Sequence, residues 1–282
     1  MNRTFCRLML TAAVVLGLVR LADLCAFTDA DGFCTLGSAW FRYAFAAVFW
    51  ALLFFVPGPK RAGGNVRIPA RGVLVLLAVL SVAAGGWTAY YAASEFLFPS
   101  TVLASEPSMR MMELVWFALR LAAGAGWLVF AAWCAVLSSL REPLTQASGT
   151  ARALGYFAWL PFLMLALTSY GVSHPSAHRI LYIVPVFAYV SAALLASKML
   201  GLICISDDAS VRRGAAASGI LCFFLCTCVY LPQSVVTLLR GMSDWQTLVF
   251  QALPLGVFGC VGAALALEIS RTRGKVVSEE SV

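Results

Sequence analysis

Two opposite charges, Arg20 and Asp23, interrupt the apolar run TAAVVLGLVRLADLCAF at residues 11–27. Three residues apart on a helix, they share a face and can pair. Similar intrusions stand at Arg42, Glu113 and Arg120, each inside a segment otherwise suited to hydrocarbon. A charge at the bilayer centre costs about 2.5–3.5 kcal/mol on insertion scales, so such residues turn inward, pair with one another or line water. The chemistry open to this set is electrostatic capture. Three guanidinium groups against two carboxylates sum to +1, and an unpaired buried charge is expensive. The excess arginine therefore meets backbone carbonyls or an anionic group of a solute. Arg20, Asp23, Arg42, Glu113 and Arg120 are the candidate substrate-binding residues. Snorkelling to the interface is the plainer account of Arg20, Arg42 and Glu113, and Asp23 can cap its span. Arg120 lies too far from water for that.

Other combinations do not assemble into chemistry. His174 and His178 in SHPSAHR have the spacing of two ligands on one helix face, but a metal needs a third, and Pro175 marks a helix start. Cys222 and Cys226 in CFFLCTC share a face and could hold Cu(I), yet no further soft ligands converge, and MRMM at 109–112 fares no better. DADG at 29–32 opens like a calcium loop and lacks the remaining ligand positions. The chain has no Gly-rich phosphate loop, nucleophile elbow or zinc-protease helix. No catalytic role, metal or cofactor is expected. Of the nine cysteines, Cys6, Cys134, Cys204, Cys222, Cys226, Cys228 and Cys260 lie in or beside apolar spans as small hydrophobes. Cys25 and Cys34 bracket the first loop and could form a disulfide in an oxidising compartment.

The elements that must position these residues follow from composition. The chain is 61% hydrophobic and 12% charged, with mean hydropathy +0.88, whereas soluble domains carry about 25% charged residues. The fold expected is an all-α, polytopic bundle of about eight transmembrane helices. Stretches of about 20 apolar residues occur near 5–27, 37–57, 72–93, 111–139, 153–172, 178–201, 215–238 and 246–268. FLFPSTVLA at 96–104 is too short to span and reads as interfacial. Arg3, Arg7 and the apolar run after them imitate a signal peptide, but no small-residue cleavage site follows, so this is an uncleaved first helix.

Lys and Arg set the direction. With the N-terminus inside, internal segments hold fourteen of them and external segments only Arg110, Arg179 and Arg240. Both termini are expected in the cytoplasm, in the plasma membrane of a bacterium. The same count explains the net charge of +7 without nucleic acid. Asp29, Asp31, Glu95, Glu106 and Asp244 fall in the external loops.

The single membrane domain divides into unlike parts. Residues 1–140 (spans one to four) hold the charges; 153–268 (spans five to eight) carry one proline each, Pro161, Pro185, Pro232 and Pro254; 269–282 form a cytoplasmic tail. Proline removes a backbone hydrogen bond and kinks a helix, so three prolines in the outer halves of spans six to eight, with Gln233 and Gln251 nearby, suggest a cavity facing the charge cluster. Small residues at AAGAG (122–126) and at Gly256, Gly259 and Gly262 suit close helix packing.

Two function classes compete. One is a small-solute transporter or permease subunit with an outward-facing charged cavity, whose partner is a small anionic or zwitterionic solute. The other is a non-catalytic sensor or assembly subunit, in which the same charges bind a partner membrane subunit. The lack of a soluble domain favours transport.

Overall fold

The computed structural model describes residues 3–29, 44, 47–51, 53, 66–67, 71–97, 107–140, 143–144, 147–173, 180–205 and 208–279. Among them the protein is helical, without strands, and seven helices are long and apolar enough to cross a membrane. In lipid a backbone must satisfy its own polar groups, and a continuous helix does so within one segment. The helices are α1 (Arg3–Ala26), α2 (Arg71–Leu97), α3 (Pro107–Ser139), α4 (Gly149–Gly155), α5 (Leu160–Ser173) and α6 (Ile180–Cys204). Two composite spans follow. The first joins α7 (Ala209–Cys222), a π-helical segment (Phe223–Tyr230) and α8 (Leu231–Leu239). The second joins a short turn (Trp245–Thr247), a π-helical segment (Leu248–Ala252) and α9 (Leu253–Glu279).

Each π segment ends just before a proline, Pro232 or Pro254. Proline cannot donate to the carbonyl four residues back, and the wider π turn shifts the hydrogen-bond partner by one residue. These two prolines therefore change the helix register. Pro185 sits inside α6. Pro161 is the second residue of α5, after the turn 156–159 that separates α4 from α5, so it begins a helix and does not kink one.

Side-chain contacts fix the helix directions. Gly85 meets Gly124, and Phe96 stacks on Phe117 with ring centroids 4.4 Å apart. As one residue number rises the other falls, so α2 and α3 are antiparallel. Gly219 against Gly262 and Thr227 against Gly256 make the two composite spans antiparallel in the same way. By contrast α1 runs parallel to α7–α8: Gly17 lies against the Cys228 carbonyl, and Arg240 donates to Cys25 O and Thr28 O at 2.9 and 3.0 Å. The near face is taken here as the one where α1 begins, and the far face as the one where it ends.

At the far face Gly241 closes α8 with φ +69°. Met242 N donates to Thr237 O (2.9 Å) and Gly241 N to Leu238 O (3.0 Å), a Schellman ending that needs the left-handed residue glycine supplies. At the near face Asp208 caps α7, accepting from Ser210 N at 2.7 Å. That bond holds its carboxyl below the usual carboxylate range.

Most of the predicted second span, 37–57, lies outside the described residues. Residues 47–51 are helical, and the Phe49 ring packs 4.5 Å from that of Phe224, midway along the span Ala209–Leu239. Val66 O accepts from Leu144 N (3.0 Å) at the near face. Trp87 stacks on Phe250 (5.0 Å) near the start of the last span, and Cys6 lies beside Ser270 near its end. Both α1 and α2 therefore oppose α9 and run the same way. The chain leaves α1 at the far face and enters α2 at the near face, with Phe49 at mid-height between them.

The core is aromatic at its centre, with Phe130 ring centroids 4.9 Å from Phe162 and 5.0 Å from Phe258. Trp133 Nε1 donates to Ala151 O (2.9 Å) and fixes α4 against α3. The glycine patches serve close approach, as expected. A Cβ on Gly219 would fall 2.4 Å from Gly262 O, and one on Gly124 would fall 3.1 Å from Gly85 O. Exposed Tyr156 and Phe157 toward the near face, and Tyr90, Tyr170 and Trp245 toward the far face, stand where interfacial aromatics belong. The charged and proline-bearing parts interleave, since α1 packs on 223–239 and α3 packs on α5.

Candidate functional site

Arg120 projects from α3 at the level of the last turns of α2. Its guanidinium forms an ion pair with Glu95 and lies over the Tyr91 ring, 5.4 Å from the centroid. Helix α2 continues to Leu97, which corrects the assignment of Glu95 to a loop: its carboxylate is helical. Tyr91 and Glu95 are four residues apart and share a face of α2. The close crossing at Gly85 and Gly124 brings that face to Arg120. Side-chain exposure is 18% for Arg120 and 45% for Glu95, so the pair runs from the bundle interior toward the far face.

Beside it is a cavity of about 200 Å³, lined by Thr88, Tyr91, Arg120, Thr168, Ser169 and Gln251, with Trp87 and Leu165 as apolar walls. Four spans meet there: α2, α3, α5 and the last one. The volume is below the ~300–1,000 Å³ of pockets for drug-sized ligands. Two hydroxyl protons are already committed, Thr88 Oγ1 to Ala84 O (2.7 Å) and Thr168 Oγ1 to Leu165 O (3.0 Å). Those oxygens offer the cavity lone pairs. Gln251 Oε1 accepts from the buried Tyr189 hydroxyl (3.0 Å), which leaves its amide NH₂ as the end available to the cavity. The π segment 248–252 gives Gln251 its direction, since an inserted residue rotates the following side chains relative to a regular helix.

The other sequence candidates stand elsewhere. Arg20 and Asp23 pair with each other on α1, with side chains 15% and 18% exposed. They are not among the residues lining the cavity. Arg42 lies outside the described residues. Glu113 falls early in α3, and its side chain is outside the described residues. The structure thus joins Arg120 to Glu95, Tyr91, Thr88, Thr168 and Gln251. Of these companions the sequence pointed only to Gln251. Tyr91 and Glu95 had a legible signal, the four-residue spacing at the end of a span; the threonines had none.

Gln233 adjoins Pro232 but does not line the cavity. It is buried and donates from Nε2 to Leu181 O at 2.9 Å. Cys222 and Cys226 are buried, with their sulfurs 3.7 Å apart and Cys226 Sγ 3.3 Å from Ala188 O, as packed thiols would be. His174, His178 and Cys34 lie outside the described residues. No protein family, curated protein or solved structure matches this chain, so the site is read from its own geometry.

Proposed function

We propose that the protein carries a small polar solute across the membrane, as a transporter or permease subunit, and that Arg120 in the cavity between α2, α3, α5 and the last span is the anion-binding group. The observation that carries this reading is a charged residue and a fixed amide facing one small cavity among apolar helices. Intramembrane ionisable groups in such places mark solute or ion pathways. Under the positive-inside rule the far face is extracellular, which makes the cavity outward-facing and both termini cytoplasmic. No enzymatic role is proposed.

A sensor or assembly role is the second reading. Its support is α1, which leaves Leu8, Leu18 and Val19 about 60% exposed, at 63%, 60% and 58%. Lipid or a partner's helix would cover that face.

Uptake by the purified protein in vesicles separates the two. Labelled mixtures of small carboxylic, amino and sulfonic acids should enter protein-containing vesicles faster than protein-free ones. Arg120→Gln should abolish the difference while keeping a cooperative melt. Absence of uptake for every mixture, with folded protein facing both ways, would leave the partner-subunit reading in its place.

A further inference from the structure

We propose that the cavity takes a small zwitterion, one carboxylate and one ammonium on a short carbon chain, by exchange with the Arg120–Glu95 ion pair. This rests on the reading of the cavity as a solute site and narrows it to one class of solute.

The argument starts from charge balance. Arg120 already has a carboxylate partner in Glu95. A simple anion arriving at Arg120 would displace Glu95 or share the guanidinium with it, leaving a net negative charge in a partly desolvated site. A simple cation at Glu95 would leave Arg120 uncompensated. The second outcome leaves Arg120, 18% exposed, as an unpaired charge largely away from water. The first only trades one carboxylate on Arg120 for another and returns Glu95, 45% exposed, to the far face. A zwitterion avoids both. Its carboxylate takes Arg120 while its ammonium takes Glu95, and the formal charge of the site stays at zero throughout.

The polar groups are sorted in the same sense. The donors are the Arg120 guanidinium on α3 and the Gln251 amide on the last span. Acceptor oxygens lining the cavity include Thr88 on α2 and Thr168 on α5, with both threonine protons bound to backbone carbonyls, beside Ser169. Glu95 borders the cavity through its pair with Arg120. Thr88 and Glu95 are seven residues apart, two turns or about 10 Å along one face of α2, so Glu95 is the partner for an ammonium and Thr88 a hydroxyl oxygen deeper in the cavity. The Tyr91 ring, already under Arg120, adds an aromatic face for a cation. Tyr189 is the positioning residue. By engaging the oxygen of Gln251 it turns the amide's donor end toward the carboxylate side. A cavity of about 200 Å³ limits the chain between the two charges.

Thermal unfolding of the purified full-length protein, with β-alanine, propionate or ethylamine added, tests the assignment. These three probes share a short carbon chain and differ in charged ends. β-Alanine should raise the melting temperature with a half-saturation about tenfold or more below that of the other two, since a hydrogen bond to a charged group contributes ~1.5–3 kcal/mol. Glu95→Gln should remove the preference for β-alanine over propionate. Glu95 is half exposed, and a glutamine there keeps an acceptor oxygen for Arg120, so this variant keeps the fold. Tyr189→Phe should weaken β-alanine and propionate alike, because it frees the amide that meets the carboxylate. Propionate binding as tightly as β-alanine would overturn the zwitterion and leave a solute site for anions, and a preference that survives Glu95→Gln would overturn the exchange with the Arg120–Glu95 pair. No shift with any probe would overturn it too. In that case uptake of the acid mixtures decides the broader reading separately.

Discussion

Gln233 donates its side-chain amide to Leu181 O at 2.9 Å, and Leu181 is the residue four positions before Pro185. A proline at that position cannot donate the helical hydrogen bond to this carbonyl. A buried glutamine on one span thus supplies the hydrogen that a proline on the neighbouring span lacks.

Removing that amide should cost stability only while the proline is present. Gln233→Leu leaves a buried carbonyl unsatisfied, worth about 1–3 kcal/mol. Pro185→Ala restores a backbone donor, so in that background the cost of Gln233→Leu should fall well below its value in the natural protein. A double-mutant cycle by thermal unfolding in detergent reads the coupling. Equal costs in the two backgrounds would mean that Gln233 acts through packing alone.

The glycine crossing gives a contrast of sign. A Cβ on Gly219 meets the Gly262 backbone at 2.4 Å, whereas one on Gly86 meets nothing within 4 Å. Gly219→Ala must push two helices apart and should cost about 1–3 kcal/mol as overpacking does. Gly86→Ala should be neutral or stabilise by up to about 1 kcal/mol through helix propensity. Melting temperatures of the two variants moving in the same direction would contradict the close approach of the spans.

The N-cap of α7 should make stability depend on pH at the acid end. Asp208 has its folded-state pKa lowered, first by the backbone hydrogen bond from Ser210. A group whose folded pKa is depressed contributes stability above its unfolded pKa and loses it as pH falls through the folded value. The gap in melting temperature between the natural protein and Asp208→Ala should therefore hold at neutral pH and narrow below the ordinary carboxylate range. Asp208→Asn keeps a capping oxygen and should show no such narrowing. A gap that stays constant into acid would remove the charge from the account of this cap.

Much of this architecture was legible because hydropathy counts residues that must meet lipid, and seven of the predicted spans coincide with helices long enough to cross. Arg120 stood out for its depth along a span. Its partner did not, because an acid two residues past the predicted end of an apolar run reads as loop; only the Gly85–Gly124 crossing, a tertiary contact, brings Glu95 to it. The prolines signalled irregular helix, and two of them do follow π segments. Periodicity alone does not tell a π turn from a kink. Nor does it show that Gln251 enters the cavity while Gln233 serves a backbone carbonyl.

Topology follows from the shared direction of α1 and α2. Reporter fusions at 28–36 and at 58–71 should report opposite sides, with 28–36 and 96–109 outside and 58–71, 141–152 and 202–214 in the cytoplasm. The absolute sense comes from the Lys and Arg count. The opposition of 28–36 and 58–71 comes from packing, Gly17 on Cys228 and Trp87 on Phe250. Fusions at 28–36 and 58–71 reporting the same side would contradict that packing, whatever the absolute orientation.

The last prediction concerns the pair that interrupts α1. An exposed i,i+3 pair contributes only about 0.2–0.5 kcal/mol, but Arg20 and Asp23 are each more than four-fifths covered, at 15% and 18% exposure. Arg240 arrives at the same helix end, donating to Cys25 O and Thr28 O, while Thr28 Oγ1 lies 3.4 Å from Asp23 O. The end of α1 therefore gathers Arg20, Asp23 and Arg240. Removing Asp23 takes negative charge from a helix end that holds both Arg20 and Arg240, whereas removing Arg20 takes away one of the two arginines. Asp23→Asn should cost more than Arg20→Gln, on the order of 1–3 kcal/mol for a hydrogen bond to a charged group. The double variant should recover part of that loss, a coupling of about 0.5 kcal/mol or more in a double-mutant cycle. Small, equal and additive effects would place both side chains in water at the interface and reduce the pair to an anchor for the end of α1.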